Sequence, residues 1–215
     1  MIGLLGGTGP LGRGLALRLG LAGHPVLIGS RAIGKATEAV GKVAAKTDRE
    51  LDVRPVSNET AAREGDVVFI TVPYAAQRAT LSDVGAHLAG KLVVSCVNAL
   101  AFDRHGPQPV LVDEGSAAQE AQALLPDSTV VGAFQNVSAV SLLEAAADVD
   151  ADVLIVSDVD EAREQVADLV EQIPGMRPVI AGPLRLARPV EEMTAVLIAV
   201  NKRYEAHASL RITGL

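Results

Sequence analysis

Cysteine is almost missing from this chain. One residue, Cys96, cannot close an intrachain disulfide, so packing and hydrogen bonds alone must hold the fold. A reducing compartment suits such a chain. Tryptophan is absent, and Phe and Tyr number three and two. The core must therefore be built from Val, Leu, Ile and Ala, and a bound ring system is expected to lie against aliphatic walls. No apolar run reaches the roughly 18 residues of a membrane span. The opening Met1-Ile2-Gly3-Leu4-Leu5 lacks the basic stretch of a signal peptide, and the expectation is a cytoplasmic protein.

Positive charge is also short: Lys and Arg total 19 against 26 Asp and Glu, a formal charge of -7. With no basic stripe, nucleic acid is excluded as a partner. A field of that sign repels anions at long range, so an anionic ligand must be caught by local cations and backbone N–H groups. Catalytic motifs are scarce as well. There is no HExxH, no CxxC and no Ser-His-Asp spacing. His24 falls in a turn and His105 in an irregular loop, and His87 and His207 fall in helical stretches without evident partners. Glu191 and Glu192 are adjacent, so on a helix they point different ways, and they read as first-turn residues that complement the dipole.

What is present is an alternation. Short apolar runs at Ile2–Leu5, Pro25–Ile28, Leu51–Val56, Asp66–Val72, Lys91–Val97, Thr129–Phe134, Asp152–Val156 and Pro178–Ala181 read as strands buried on both faces. Helical patterns lie between several of them. Pro10 to Leu21 carries Leu11, Leu15 and Leu19 on one face. Another helix opens at Ser116 with Gln119 as its capping-box partner, and a third covers Asp160–Ile173. The segment Ala101–Gly115 breaks the rhythm as a loop or hairpin excursion. A last helix is expected from Pro189, with Val190, Met193, Leu197, Val200 and Tyr204 on one stripe and enough further apolar residues to be buried all round. The pattern specifies an α/β fold, a doubly wound, mostly parallel sheet followed by a small C-terminal helical part.

The first strand runs directly into Gly6-Gly7-Thr8-Gly9-Pro10-Leu11-Gly12, where Gly7, Gly9 and Gly12 give the spacing G-x-G-x-x-G. In that context the first Gly is assigned to the tight turn. The second admits the backbone to a pyrophosphate, and the third lets the helix pack on the strand. The helix N-terminus then offers free N–H groups to phosphates, and Pro10 costs nothing there. The second strand ends in Ser30-Arg31, with Lys35 one helical turn later and no acidic residue to hold a ribose 2′-hydroxyl. A hydroxyl, a guanidinium fork and an ammonium suit a 2′-phosphate, so the dinucleotide is NADP(H) rather than NAD(H). Two cations at a helix start oppose its dipole, and a bound phosphate supplies the reason for them.

Ligands of such sheets bind beyond the carboxyl ends of the strands. Three ends are candidates: Thr71-Val72-Pro73-Tyr74, Cys96-Val97-Asn98-Ala99 and Phe134-Gln135-Asn136-Val137-Ser138.

The chain resembles the F420-dependent NADP reductases over essentially its whole length. The resemblance is carried by Leu4-Leu5-Gly6-Gly7-Thr8-Gly9, Gly29-Ser30-Arg31 and Val72-Pro73. It continues through Glu114-Gly115-Ser116-Ala117-Ala118, Val131-Gly132-Ala133-Phe134, Asn136-Val137-Ser138-Ala139 and Arg177-Pro178-Val179-Ile180-Ala181-Gly182-Pro183-Leu184. The tail Asn201-Lys202-Arg203-Tyr204 to Arg211-Ile212-Thr213-Gly214-Leu215 is similar to actinobacterial members. The resemblance implies hydride transfer between NADP(H) and the deazaflavin coenzyme F420 in a homodimer. An extended NADP-binding domain would span 1–183, with a helical part over 184–215. NADP would rest on Thr8, Gly9, Pro10, Leu11, Ser30, Arg31 and Lys35, and the deazaflavin near Gln135, Val137 and Thr194, with Ala133 a further cofactor-binding candidate. Members usually carry His at the position of Gln135, Pro at that of Ala99 and Asn at that of Ala199. Two other functions fit the residues: an NADPH-dependent reductase of a small imine, ketone or quinone, with Tyr74, Asn98 or Gln135 as donor, and a non-catalytic NADP(H)-binding sensor.

Overall fold

The computed structural model describes residues 1–215. In chain order, β1 (Ile2–Leu5), α1 (Pro10–Leu21), β2 (Val26–Ser30), α2 (Ile33–Ala44), β3 (Val53–Ser57), α3 (Asn58–Glu64), β4 (Val67–Ile70), α4 (Tyr74–Val84) and β5 (Leu92–Ser95) form two successive βαβαβ-like runs. A hairpin of β6 (Leu100–Asp103) and β7 (Gly106–Pro109) follows. Then come α5 (Ala117–Leu124), β8 (Thr129–Gly132), α6 (Ala139–Leu142), β9 (Ala151–Val156), α7 (Asp160–Glu171), β10 (Met176–Gly182) and α8 (Ala187–Tyr204). Eight strands make one sheet in the order β10-β9-β8-β5-β4-β1-β2-β3. All pairs are parallel except β8–β9, which meet through the single antiparallel pair Gly132/Val156. The expected α/β, mostly parallel sheet is therefore the fold.

Alternation along each strand divides the core into two layers. Leu4, Ile28, Phe69, Val94 and Val131 face the cluster under α1, α2 and α7. Leu5, Leu27, Ile70, Val93 and Val130 face the one under α3, α4 and α5. Such two-sided burial is why these strands read as unbroken apolar runs. With so few aromatics the layers are aliphatic, and Phe69 and Phe134 form the one close ring pair, 5.9 Å between centroids.

Several strands end earlier than their apolar runs. Thr71 and Val72 leave the sheet ahead of Pro73, which has no N–H to give the ladder. Phe134 adopts a left-handed φ of 66° and turns the chain away after β8. The expected excursion at Ala101–Gly115 is the β6–β7 hairpin. Asp103 Oδ1 accepts from the N–H groups of His105 (2.7 Å) and Gly106 (3.2 Å) in its turn. The Ser116 hydroxyl caps α5 by accepting from Gln119 N at 3.1 Å.

Three expectations need correction. The last helix begins at Ala187 rather than Pro189, and it is not buried all round: Met193 and Val196 stay 41% and 55% exposed. It packs against β7 and α5, and its remaining apolar residues stay partly in solvent. His207 lies past the helix end, in the exposed tail after Tyr204. Glu191 does not complement its own helix dipole. It is 2% exposed, and its carboxylate accepts from the N–H groups of Ala117 and Ala118 at the start of α5. Its neighbour Glu192 points outward to Arg188, 2.8 Å away.

The tail is held by one buried carboxylate. Asp152 receives Arg177 (2.7 and 2.9 Å), Arg211 (2.8 Å) and the N–H of Ile212 (2.6 Å), while Asp152 N donates to Leu210 O. No helix is long and apolar enough to cross a membrane.

Candidate functional site

In the sheet, β1 lies between β2 and β4, so the chain reverses its winding there, and a crevice opens beyond the carboxyl ends of β1 and β4. Two contiguous cavities occupy it. One, about 300 Å³, is lined by Gly6, Thr8, Ser30, Arg31, Ala32, Lys35, Asn58, Val72, Pro73, Ala76 and Thr80. The other, about 480 Å³, is lined by Gly6, Thr8, Gly9, Pro10, Leu11, Thr71, Val72, Pro73, Tyr74, Cys96, Val97, Asn98, Leu100, Phe102, Thr194 and Ile198. Gly6, Thr8, Val72 and Pro73 belong to both, so the crevice is one cleft with two chemically different ends.

The glycine loop divides its labour differently from the expected scheme. The left-handed residue is Gly6, at φ +68°, so the tight turn falls one position before Gly7. Its N–H donates to Asn58 Oδ1 at 3.1 Å. Gly7 and Gly12 are the close-packing pair: a Cβ on Gly12 would lie 2.5 Å from Gly7 Cα and 2.6 Å from its carbonyl oxygen. Gly9 is the open one. A Cβ built there meets no protein atom within 4 Å, and Gly9 is the N-cap of α1, with no side chain bonded to the helix N-terminus. The helix thus presents bare N–H groups into the cleft, an anion cradle.

At the 300 Å³ end, Ser30 is buried and its Oγ accepts from Ala32 N at 3.2 Å, while Arg31 and Lys35 stand exposed on the rim. Neither cation is in an ion pair, which leaves both heads free for an anion. Asn58 sits between the glycine turn and this end. No sequence motif singles it out, and the carboxyl-end rule applied to β3 is the one signal that points there.

The 480 Å³ end contains no Asp, Glu, His, Lys or Arg. Its polar groups are hydroxyls and one amide. Thr71 Oγ1 donates to Leu5 O (2.8 Å), locking the ends of β1 and β4 together. Asn98 and Thr194 form a small network on the far wall. Asn98 Nδ2 donates to Gln135 O (3.2 Å), and Thr194 Oγ1 lies 2.8 Å from the same oxygen and 3.1 Å from Asn98 Oδ1. Asn136 Nδ2 donates to Thr194 Oγ1 (3.0 Å) and to Val190 O (2.8 Å). These bonds seat α8 against the ends of β5 and β8. Burial pushes the Tyr74 hydroxyl up from its ordinary range, helped by Glu120 and Glu114 behind it, so it stays protonated near neutrality. Burial likewise holds the Cys96 thiol far above its usual range, and it is inert as a nucleophile.

Of the residues singled out in the sequence, the cleft gathers Thr8, Gly9, Pro10, Leu11, Ser30, Arg31, Lys35, Val72, Pro73, Tyr74, Val97, Asn98 and Thr194. Gly7 and Gly12 are buried beneath it. Ala133, Gln135 and Val137 lie behind its wall, all buried. The Gln135 side chain turns toward Gly132: a Cβ on that glycine would lie 2.9 Å from Gln135 Nε2. Neither amide atom has a hydrogen-bond partner. Only the Gln135 carbonyl reaches the wall network. Leu100, Phe102 and Ile198, unremarked in the sequence, supply the apolar mouth.

A switch-point crevice, a bare helix N-terminus over a glycine cradle and a flanking hydroxyl–guanidinium–ammonium set define a dinucleotide-binding α/β oxidoreductase. Residues 1–99 match the family model described as NADP oxidoreductase, coenzyme F420-dependent. The F420-dependent NADP reductase of Methanothermobacter marburgensis is 41% identical over the whole chain and 98% of its own length, and that of Methanocaldococcus jannaschii is 38% identical over the whole chain. The chain belongs to the F420-dependent NADP reductase family. The crystal structure of a candidate member from Arthrobacter sp. FB24 superposes with a TM-score of 0.84 over 99% of this chain and 98% of that one, at 24% identity, and shares the fold.

Proposed function

We propose that this chain transfers hydride reversibly between NADP(H) and the deazaflavin coenzyme F420. The observation that carries the reading is the cleft itself: one continuous crevice with a cationic, phosphate-sized end and an uncharged, largely apolar end, joined at the glycine loop.

The residues fit the group. Gly9 leaves the space that a pyrophosphate needs, and the N–H groups at the start of α1, with Thr8, Pro10 and Leu11 around them, receive it. Ser30, Arg31 and Lys35 hold the 2′-phosphate, with Arg31 as a two-pronged donor and Lys35 as a point charge. Val72, Pro73 and Tyr74 line the path toward the larger cavity. There Val97, Asn98 and Thr194 form the wall against which the deazaflavin rests, with Ala133, Gln135 and Val137 shaping that wall from behind.

When bound, the two cofactors supply the donor and acceptor carbons themselves. The protein's tasks are orientation and exclusion of water. The uncharged cavity does both: Asn98 keeps one amide hydrogen free of the wall network to point a ring carbonyl, and Leu100, Phe102 and Ile198 keep the mouth apolar. No acid or base is required, in keeping with a lining that holds no Asp, Glu, His, Lys or Arg.

A homodimer is part of this reading. It is supported by the exposed Met193, Val196 and Tyr204 on α8, an apolar stripe that a monomer leaves in water. A cytoplasmic setting is supported by the reduced, buried Cys96.

The test is anaerobic mixing of the purified protein with NADPH and F420, followed at the deazaflavin absorbance. The expected result is bleaching with NADPH and recovery with NADP⁺. Normal NADPH binding with no absorbance change would overturn the reading.

A further inference from the structure

Glu191 has no place in the chemistry above, yet it is the most deeply buried carboxylate on α8. It accepts from Ala117 N at 2.9 Å and Ala118 N at 3.0 Å, the first free N–H groups of α5. The Ala99 N–H and the Ser116 hydroxyl lie near enough to favour its charged form. Ala99 directly follows Asn98, and Thr194 lies one turn along α8 on the same face, since residues i and i+3 of a helix are neighbours. Glu191 therefore ties α8 to the start of α5, beside the segment that follows β5. Asn98 and Thr194, which form the far wall of the larger cavity, are each within one helical turn or one residue of that knot.

We propose that Glu191 is a positioning residue for the deazaflavin end of the cleft, its ionised carboxylate setting the seat of α8 and hence the Asn98–Thr194 wall. This rests on the function proposed above, and it adds a regulation of the same site by pH. An ionised carboxylate accepts from both α5 N–H groups at once. A protonated one turns its O–H against one of them and keeps a single bond. Burial pushes Glu191 up to about 7, against the N–H groups that favour the charged form. No cation is paired with it. Tyr74 faces it from α4, and Glu114 and Glu120 behind Tyr74 are matched by Arg78. The wall should thus loosen as the pH falls through neutrality, and the NADP end, built on other elements, should not.

The experiment measures KM for F420 and for NADPH from about pH 5.5 to 8.5, in wild type and in Glu191→Gln. Direct NADPH binding is followed by nicotinamide fluorescence. For wild type, KM for F420 is expected to rise about tenfold from the basic to the acidic plateau, less than the full worth of one charge-assisted bond because Glu191 acts through the wall. In Glu191→Gln it is expected to sit near the acidic plateau throughout, with KM and fluorescence for NADPH unchanged. Any ionisation of the coenzyme itself persists in the variant, so the difference between the two profiles is the readout. Matching profiles in wild type and variant, with hydride transfer intact, would overturn the positioning role. Absence of hydride transfer in wild type would instead overturn the function on which it rests.

Ala117→Pro provides a second reading that keeps Glu191. It removes one of the two N–H donors at a first helical position, where proline is accepted, and Ser116 is already extended (φ -156°, ψ 166°) as a residue before proline must be. Losing a donor to the charged form moves the inflection to higher pH. An inflection left in place would count against Glu191 as its source.

Discussion

The glycine loop offers a separation of stability from binding that can be calculated before it is measured. At Gly9 an added methyl would meet no protein atom within 4 Å, and the backbone, φ -71° and ψ 171°, is one that alanine adopts freely. Two small terms then act on folding. Alanine is a poorer N-cap than glycine by a few tenths to about 1 kcal/mol. Fewer unfolded conformations return about 0.4–1 kcal/mol. They nearly cancel, so Gly9→Ala should leave the melting temperature within about 2 °C of wild type. The same methyl stands where a pyrophosphate must approach the N–H groups of α1, and losing one charge-assisted bond there costs about 2 kcal/mol, or roughly thirtyfold in Kd for NADPH. Gly12→Ala is the mirror case. Its methyl would overlap Gly7 at 2.5, 2.6 and 2.7 Å, all backbone atoms that cannot rotate aside. Overpacking of this kind costs about 1–3 kcal/mol or more, a fall of about 3–10 °C in a domain of this size. Differential scanning calorimetry and a fluorescence titration with NADPH read both effects. If Gly9→Ala binds NADPH as wild type does, or melts as early as Gly12→Ala, the assignment of open cradle and closed packing pair is wrong.

Two further outcomes follow from charges at opposite ends of the molecule. Arg31→Ala should weaken NADPH binding by about tenfold, below the full value of a bidentate pair because the site is exposed and screened, and should change NADH binding less than about twofold. Equal losses for the two nucleotides in parallel titrations would remove the 2′-phosphate assignment. At Asp152, hydrogen bonds from Arg177 hold the carboxyl well below the usual carboxylate range, with Ile212 N–H and Arg211 adding to them against the opposing effect of burial. A depressed folded value means that the bound protons are fewer in the native state. The stabilisation is therefore present above about pH 4 and lost as the pH falls below it. Asp152→Asn should cost about 2–3 kcal/mol in urea unfolding at pH 7 and flatten the acid limb below pH ~4. An unchanged acid limb would show that other carboxylates govern it.

Much of this molecule was legible because its strands are covered on both faces. Val67–Ile70 and Leu92–Val94 show unbroken apolar runs, and the glycine loop sits where a strand becomes a helix. Strand ends were less legible, because residues such as Val72 and Val97 are as apolar as their neighbours yet leave the sheet to wall the cleft. The turn glycine lies one position earlier than expected because composition cannot show which of two adjacent glycines takes a positive φ; at Gly6 a Cβ would also meet Val72 Cγ1 at 2.4 Å, in the segment beyond β4. Glu191 was misread for a related reason. An acidic residue in the first turn of a helix has a sufficient local explanation in its own dipole. The real partner, the start of α5, lies more than seventy positions away in sequence.

What the cleft uses of position 135 is its carbonyl oxygen, which anchors both Asn98 and Thr194. The side chain is turned away toward Gly132, 4% exposed, with both amide atoms unbonded. A buried amide without partners costs free energy that an apolar group of the same shape does not. Gln135→Met, unbranched and of similar length, should therefore stabilise the fold by about 1 kcal/mol, a rise of about 2–4 °C in melting temperature. Because the carbonyl remains, KM for F420 should stay within about twofold of wild type. The substitution thus distinguishes two ways for a residue to serve a site. If the melting temperature falls, or KM climbs while the melting temperature holds, the amide has a partner in the working enzyme and the side chain, not the backbone, is what the cleft requires. If both expectations hold, the identity of this side chain is free to vary among chains that keep the same wall, since the wall is built from a main-chain oxygen that every residue supplies.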